Sequence, residues 1–185
     1  MIFAVVMAVD AYIPDVEGTI SSVSINGVPT TNPPQSALPG QILEYKVEIR
    51  NRGTEPVNNT KITIPVPYNA VYVPNSAVRN IYYTPAPTPN SLVFDPSLGS
   101  TGSIVWNIGT VPVPADPETL LGDLVFRFKV TEDCALLKNV SCSNIVAVNG
   151  NFTGVGAITG ISFNEKDLIQ GYEESGECQG NAIAA

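Results

Sequence analysis

The residues of this chain that could do chemistry are acids and cysteines, because it contains no histidine. Without histidine, Ser-His-Asp and Cys-His catalysis are excluded, as are the usual zinc and haem ligand sets. A pair of carboxylates in a cleft, as in glycoside hydrolysis, is the remaining catalytic device. No acid lies in an aromatic-rich stretch of the kind that lines sugar subsites, and no Gly-rich phosphate motif occurs. The sequence therefore predicts a protein that is not an enzyme.

Acidic residues cluster near the start of the chain, around Pro117 and in the tail. The clusters are Asp10, Asp15 and Glu17; Asp116, Glu118 and Asp123; and Glu173, Glu174 and Glu177. Such oxygen-rich clusters can hold Ca²⁺, which takes six to eight oxygen ligands. None has the D-x-D-x-D-G spacing of a dedicated calcium loop, which favours solvated surface carboxylates. We therefore expect no metal site and no cofactor, with Ca²⁺ as the alternative that these carboxylates leave open.

The three cysteines, Cys134, Cys142 and Cys178, all lie in the last third of the chain. Cys134 follows one predicted strand and Cys142 precedes another, so the two flank one connection. We predict a disulfide between them, which implies an oxidising compartment. The alternative is a pair of free buried thiols in a cytosolic protein. Cys178 is the odd cysteine, and both an inter-domain partner and an unpaired thiol remain open for it.

Three Asn-x-Ser/Thr sequons make Asn58, Asn139 and Asn151 candidate glycosylation sites. Each is expected at a corner that connects two strands, where a glycan could project into solvent. Such sequons also arise by chance in loops rich in Asn and Thr, and most bacteria do not use them.

The elements that must position these residues are strands, because apolar side chains recur at every second position. The clearest alternating sets are Leu43, Tyr45, Val47 and Ile49; Ile62, Ile64 and Val66; Ile104, Trp106 and Ile108; and Leu124, Phe126, Phe128 and Val130. Turn signals separate them, among them Asn26-Gly27 and the corner at Asn51 and Gly53. Trp106 is expected to fill a core rather than to stack on a ligand.

Sixteen prolines and fifteen glycines, with only 14% charged residues, indicate many short segments joined by turns. About eight to ten short strands fit two packed antiparallel sheets. The predicted fold class is all-β, an antiparallel β-sandwich. The last hairpin is expected over residues 145–149 and 154–161, and residues 167–171 are expected as a helical turn or a β arc.

Net charge excludes one class of partner. Seventeen acidic residues against nine basic ones give a formal charge of −8, so nucleic acid and an anionic membrane surface would be repelled. Residues 2–9, IFAVVMAV, are apolar but too few to span a bilayer as a helix, which needs about 20 residues. They lack the basic flank of a signal peptide, which disfavours a cleaved signal.

An apolar run of this kind must be covered by something. One interpretation is a strand or connector packed within the chain or against a preceding domain. The other is a donor strand that completes the sheet of a neighbouring subunit. The inter-domain contact residues predicted from the run are Ile2, Phe3, Val5, Val6 and Val9.

A family resemblance rests on several of these segments. They are Pro39-Gly40, the strand ending at Asn51-x-Gly53, the strand with Pro65 and Pro67, and Ile104-x-Trp106-x-Ile108-Gly109. Together they resemble the conserved immunoglobulin-like repeat of large prokaryotic surface proteins, over roughly residues 18–160. Residues 65–76 and 169–172 are similar to repeats of giant Bacteroidetes adhesins of the SprB gliding type. The resemblance implies an immunoglobulin-like sandwich with no catalytic activity.

The resulting expectation is a structural module of an extracellular cell-surface filament or adhesin, serving adhesion or gliding, with neighbouring repeats as partners. Its predicted parts are an N-terminal strand or connector (1–17), the sandwich (18–163) and an acidic tail and linker (164–185), linked into a longer assembly. Two alternatives remain. One is a carbohydrate-binding module that uses the loop tyrosines Tyr68, Tyr72, Tyr82 and Tyr83, and the other is a pilin-like subunit that polymerises through its N-terminal strand.

Overall fold

A computed structural model describes residues 11–30, 36–138, 146–173, 175, 179 and 181–185. Its elements are thirteen strands and one short helix. In chain order they are β1 (Val16–Ile25), β2 (Val28–Pro29), β3 (Ile42–Asn51), β4 (Val57–Pro65), β5 (Ala70–Tyr72), β6 (Val78–Ile81), β7 (Ser91–Asp95), β8 (Ser103–Val111), β9 (Gly122–Val130), α1 (Cys134–Lys138), β10 (Asn151–Gly156), β11 (Ser162–Asp167), β12 (Ile169–Tyr172) and β13 (Ala182–Ala184).

The strands form two sheets. The first has the order β13-β12-β1-β3-β9-β5, with β2 paired to β1 and β6 paired to β9. The second has the order β11-β10-β4-β8-β7. All pairings are antiparallel except that of β12 with β1. The predicted all-β sandwich of two sheets is therefore confirmed.

The core lies between the sheets and is built by the predicted alternation. Leu124, Phe126 and Phe128 of β9 face Ile62, Ile64 and Trp106 of the second sheet, and each is at most 1% exposed. Trp106 also donates from Nε1 to Asn90 Oδ1 at 2.9 Å. Its predicted role as a core-filling aromatic is confirmed, because the indole is enclosed and its one polar atom is paired.

Two turns also agree with the sequence. Asn26 and Gly27 have φ angles of 50° and 77°, the pair of positive values that a tight hairpin turn requires, and they join β1 to β2. At the second corner, Asn51 is fully buried and its Nδ2 donates to Glu55 O and Pro112 O at 3.0 and 3.1 Å. A short amide side chain thus ties the corner to the segment that crosses between the sheets.

Gly53 lets the N-terminal segment approach that corner. A Cβ on Gly53 would lie 2.2 Å from Ile13 O. In its absence, Thr54 N donates to Ile13 O at 2.9 Å and Arg52 N donates to Asp15 O at 2.8 Å. Residues 11–15 are therefore fixed at the end of the sandwich where β3 ends and β4 begins, called here the Val57 end. The opposite end, where β4 ends and β8 begins, is called the Pro65 end.

The C-terminal part differs from its prediction. The last hairpin lies on β10 and β11, so the predicted boundary between 163 and 164 falls inside a strand. The segment expected as a tail and linker instead supplies β12 and β13 to the first sheet. Of the two alternatives for residues 167–171, the β arc is confirmed, because the chain passes there from β11 in the second sheet to β12 in the first. Leu168 explains the difference, because this apolar side chain is fully buried and anchors the segment to the core. Helix α1 was not predicted.

Candidate functional site

The surface feature with the clearest capacity for binding is an apolar groove at the Pro65 end. It lies where the edge strand β5 of the first sheet meets the edge strand β7 of the second. Tyr72 of β5 stacks on Phe94 of β7, with ring centroids 4.5 Å apart and an interplanar angle of 22°. The cavity measures about 410 Å³. We call it the edge groove, and its larger lining side chains are Tyr68, Val71, Tyr72, Phe94, Pro96 and Leu136.

The edge groove is apolar and open to solvent. None of the described side chains that line it carries a charge. Val71 is 59% exposed and Leu136 of α1 is 38% exposed, although both are apolar. Moving apolar side chains out of water lowers the free energy, so a partner that buried Val71 and Leu136 would bind favourably.

Strand β7 borders the groove, and no other strand of the described residues covers its outer edge. It pairs with β8 on one side and is the last strand of its sheet in the described part of the chain. Its only charged residue, Asp95, lies at its end, and Val93 at its centre is 52% exposed. An unpaired strand edge of this kind offers backbone N–H and C=O groups to an additional strand.

The opposite edge of the same sheet is protected. Strand β11 carries Glu165, Lys166 and Asp167, and Glu165 has a φ angle of 58° that interrupts regular pairing. Charges and backbone irregularities are the usual means of preventing edge-to-edge association. Of the two edges of this sheet, β7 is therefore the one better suited to accept a partner.

A second group of interacting side chains lies at the Val57 end and consists of charged and aromatic residues. Arg52 donates from Nε to Glu17 Oε1 at 3.0 Å, pairs with Glu118, and lies 5.3 Å from the centroid of the Tyr172 ring. Burial and a hydrogen bond to Glu17 raise the pKa of Tyr172 to about 12. The hydrogen bond from Arg52 holds the pKa of Glu118 below its ordinary value. Arg52 thus joins β1, the corner after β3 and β12 through its contacts with Glu17 and Tyr172.

Several acids of the predicted clusters have ion-pair or hydrogen-bond partners in the structure. Asp15 pairs with Lys166, Glu17 and Glu118 pair with Arg52, and Asp123 accepts from Asn80 and Tyr82. The described residues contain no group of three or more His, Cys, Asp or Glu that could hold a metal ion. Three members of the predicted clusters, Asp10, Glu174 and Glu177, lie outside the described residues.

A buried carboxylate that sequence reasoning missed is Glu55, in the connection from β3 to β4. It is fully buried. Its carboxylate accepts from Ile158 N at 2.6 Å, Thr159 N at 3.0 Å and Thr159 Oγ1 at 2.5 Å. Burial by itself would raise the pKa of Glu55, but the hydrogen bonds from Thr159 and Ile158 together outweigh it and hold that pKa below its ordinary value. No local signal marks this residue, because its partners lie more than one hundred positions later in the chain.

The four tyrosines proposed for sugar stacking do not converge. Tyr68 and Tyr72 lie at the edge groove, whereas Tyr82 and Tyr83 lie toward the Val57 end. Tyr72 already stacks on Phe94, and the Tyr82 and Tyr83 hydroxyls donate to Asp123 Oδ2 and Thr110 O, each at 2.8 Å. The described surface therefore presents no single platform made of these four rings.

Two of the three candidate glycosylation sites lie within strands in the structure. Asn58 lies in β4 and Asn151 in β10, so neither occupies the expected corner between strands. Thr60 of the first sequon is 1% exposed and donates to Val57 O, which leaves little room for a modifying enzyme. The first sequon lies on an irregular part of β4, where Asn59 has a φ angle of 52° and the register to β8 shifts between Val57 and Thr60. Asn139 lies outside the described residues.

The predicted disulfide is not present among the described residues. Cys134, at the start of α1, is an exposed free cysteine. The predicted pairing of Cys134 with Cys142 is therefore wrong, because the Cys134 thiol is free and solvent-exposed. Cys142 and the odd cysteine Cys178 lie outside the described residues. The predicted inter-domain contacts at Ile2, Phe3, Val5, Val6 and Val9 also lie outside them. No helix in the described part has the length and apolar character needed to cross a membrane.

Comparison with known proteins adds little. No family model matches the chain, and no curated protein matches it. Fifteen chains of solved structures match. One is a crystal structure of a Corynebacterium diphtheriae protein described as membrane anchored, with 13% identity and a TM-score of 0.41. The match covers 93% of this chain and 36% of that protein, so the chain spans about a third of its length. Nothing about activity or partners follows from a likeness of this degree.

Proposed function

We propose that this chain is a non-enzymatic structural module of an extracellular cell-surface filament or adhesin. The observation that carries the proposal is how the molecule distributes its polar and apolar groups. The carboxylates of Asp15, Glu17 and Glu55 are paired with cations or hydrogen-bond donors, while an apolar groove and a strand edge that no described strand covers face solvent at one end. Such a surface is suited to contact with neighbouring modules rather than to conversion of a substrate.

The proposed mechanism is mechanical. Two sheets packed on an aromatic core resist separation, because unfolding would expose Trp106, Phe126 and Phe128 to water. Glu55 ties the connection after β3 to the turn after β10, and Arg52 ties β1 to β12. The loops at the Val57 end are thus joined by polar contacts that cross between elements, which limits access for proteases.

The resemblance to surface repeats supports an extracellular location. Neighbouring repeats or subunits of the same filament are the proposed partners. The ordinary role of such modules, adhesion or gliding, is the proposed biological outcome.

Surface labelling of intact cells tests this proposal. An antibody raised against the folded chain should label unpermeabilised cells of the organism that makes it. An antibody against a cytosolic marker should not label the same cells unless they are permeabilised. Labelling that appears only after permeabilisation would contradict the proposal.

A further inference from the structure

The edge groove and the free edge of β7 together form an acceptor for a strand. The groove supplies an apolar floor through Tyr72, Phe94 and Leu136. The outer edge of β7, which pairs with no other described strand, supplies backbone along five residues, about 17 Å. A strand that added to β7 would point alternate side chains toward the groove. The occupant should therefore be an extended, uncharged segment rich in apolar residues.

This chain contains one segment that meets the description outside the described residues. Residues 2–9, IFAVVMAV, include no charged or polar side chain and no proline or glycine. Fully extended, eight residues span about 26 Å, enough to cover β7. The segment is rich in Val, Ile and Phe, which favour strands. Its composition matches the groove in polarity, and its length matches the edge.

The segment cannot fill the groove of its own copy. It leads into Ala11, whose carbonyl accepts from Thr54 Oγ1 at 2.9 Å at the Val57 end. The groove lies at the Pro65 end, roughly 25 Å away along the strands of the sandwich. Val5 can lie at most about 22 Å from Ala11 even when the chain is fully extended. Strands β3 and β9 also separate β1 from β5, which lengthens the path further.

We infer that residues 2–9 of one copy add as a strand to the outer edge of β7 in a second copy and cover its edge groove. This inference rests on the proposed function and specifies the partner of the module as another copy of itself. Donor and acceptor lie at opposite ends of each copy. The contact is therefore heterologous, and repeated addition gives an open-ended row of copies.

The net charge of −8 opposes this association through repulsion between copies. The only charge on the described residues of the proposed contact is Asp95, at the end of β7, and it has no cation opposite it in residues 2–9. Added salt should therefore strengthen association by screening the repulsion, whereas a contact held by ion pairs would weaken.

Sedimentation velocity of the full 185-residue chain over a concentration range tests the inference. Wild type should form a series of oligomers whose mean size grows with concentration.

Val71→Glu places a charge in the groove at a position that is 59% exposed, so that the fold is retained. The double variant Val5→Glu/Val6→Glu places a charge in the donor whichever face it presents. Each variant should weaken association at least 10-fold. The matched control is Val28→Glu, which is 63% exposed on β2 and should associate as wild type does.

Mixing the two variants gives the decisive result. The donor variant keeps an intact groove and the groove variant keeps an intact donor, so an equimolar mixture should form a one-to-one heterodimer and no longer series. In that heterodimer, amide hydrogen exchange should slow at residues 92–94 of one partner and stay unchanged in β11. A monomeric wild type, or a mixture that forms no heterodimer, would overturn the inference. Surface labelling of cells would be unaffected by that failure, so the proposed function is tested separately.

Discussion

Replacing Trp106 by alanine is expected to lower the melting temperature by roughly 6 to 20 °C. The side chain is fully enclosed between the sheets, and truncation of a buried tryptophan costs about 3 to 5 kcal/mol. In a chain of this size, each kcal/mol corresponds to about 2 to 4 °C. The substitution also leaves Asn90 Oδ1 with one donor, Arg79 Nε, in place of two. Thermal unfolding followed by circular dichroism at 215 nm or by calorimetry measures the shift.

Two further variants make the Trp106 result specific. Trp106→Phe keeps much of the aromatic volume and loses only the indole N–H, so it should fall between wild type and Trp106→Ala. Val28→Ala removes an apolar side chain that is 63% exposed and should change the melting temperature by about 2 °C or less. A Trp106→Ala variant as stable as Val28→Ala would show that the indole is not in the core.

Replacing Glu55 by alanine is expected to lower the melting temperature by roughly 5 to 10 °C at pH 7. The substitution removes the carboxylate that accepts hydrogen bonds from two backbone N–H groups and from the Thr159 hydroxyl, and these donors are left without an acceptor. An unpaired donor in a buried place costs more than the mean worth of a hydrogen bond. Glu55→Gln, which keeps the shape and one acceptor oxygen, should lose less.

The pH dependence of the same variants tests the charge of Glu55. Its folded pKa lies below the ordinary value of 4.5, so its contribution to stability is present above that pH and is lost as pH falls through the folded pKa. Wild type should therefore lose more stability than Glu55→Gln between about pH 5 and pH 3. Parallel losses in the two proteins would mean that Glu55 is not a hydrogen-bonded carboxylate in the folded state.

The strand faces could be predicted from the sequence because each depends on a local pattern. Leu124, Phe126 and Phe128 recur at every second position with Arg127 and Lys129 on the opposite face, and a period of two admits only one buried face. The turn at Asn26 and Gly27 was equally local, since these two residues tolerate the positive φ angles that a tight hairpin needs. The fold class followed from the sum of such signals.

The features that could not be predicted from the sequence depend on contacts between residues that are far apart in the chain. Leu168 looks like one apolar residue in an acidic tail, and only its burial against the core shows that the tail belongs to the first sheet. Glu55 and Thr159 are 104 residues apart, and Tyr72 and Phe94 meet only because β5 and β7 are edges of different sheets. The edge groove could not be foreseen for the same reason, because it exists only where two edges come together.

Pulling single molecules by residues 11 and 185 tests the mechanical role most directly. A two-layer sandwich that carries load should extend little at first and then unfold in one step. That step should release roughly 550 to 600 Å of chain, the extended length of 175 residues less the folded span. The account predicts this single rupture, followed by recovery of the same step after relaxation. Gradual lengthening without a distinct rupture would contradict a load-bearing module.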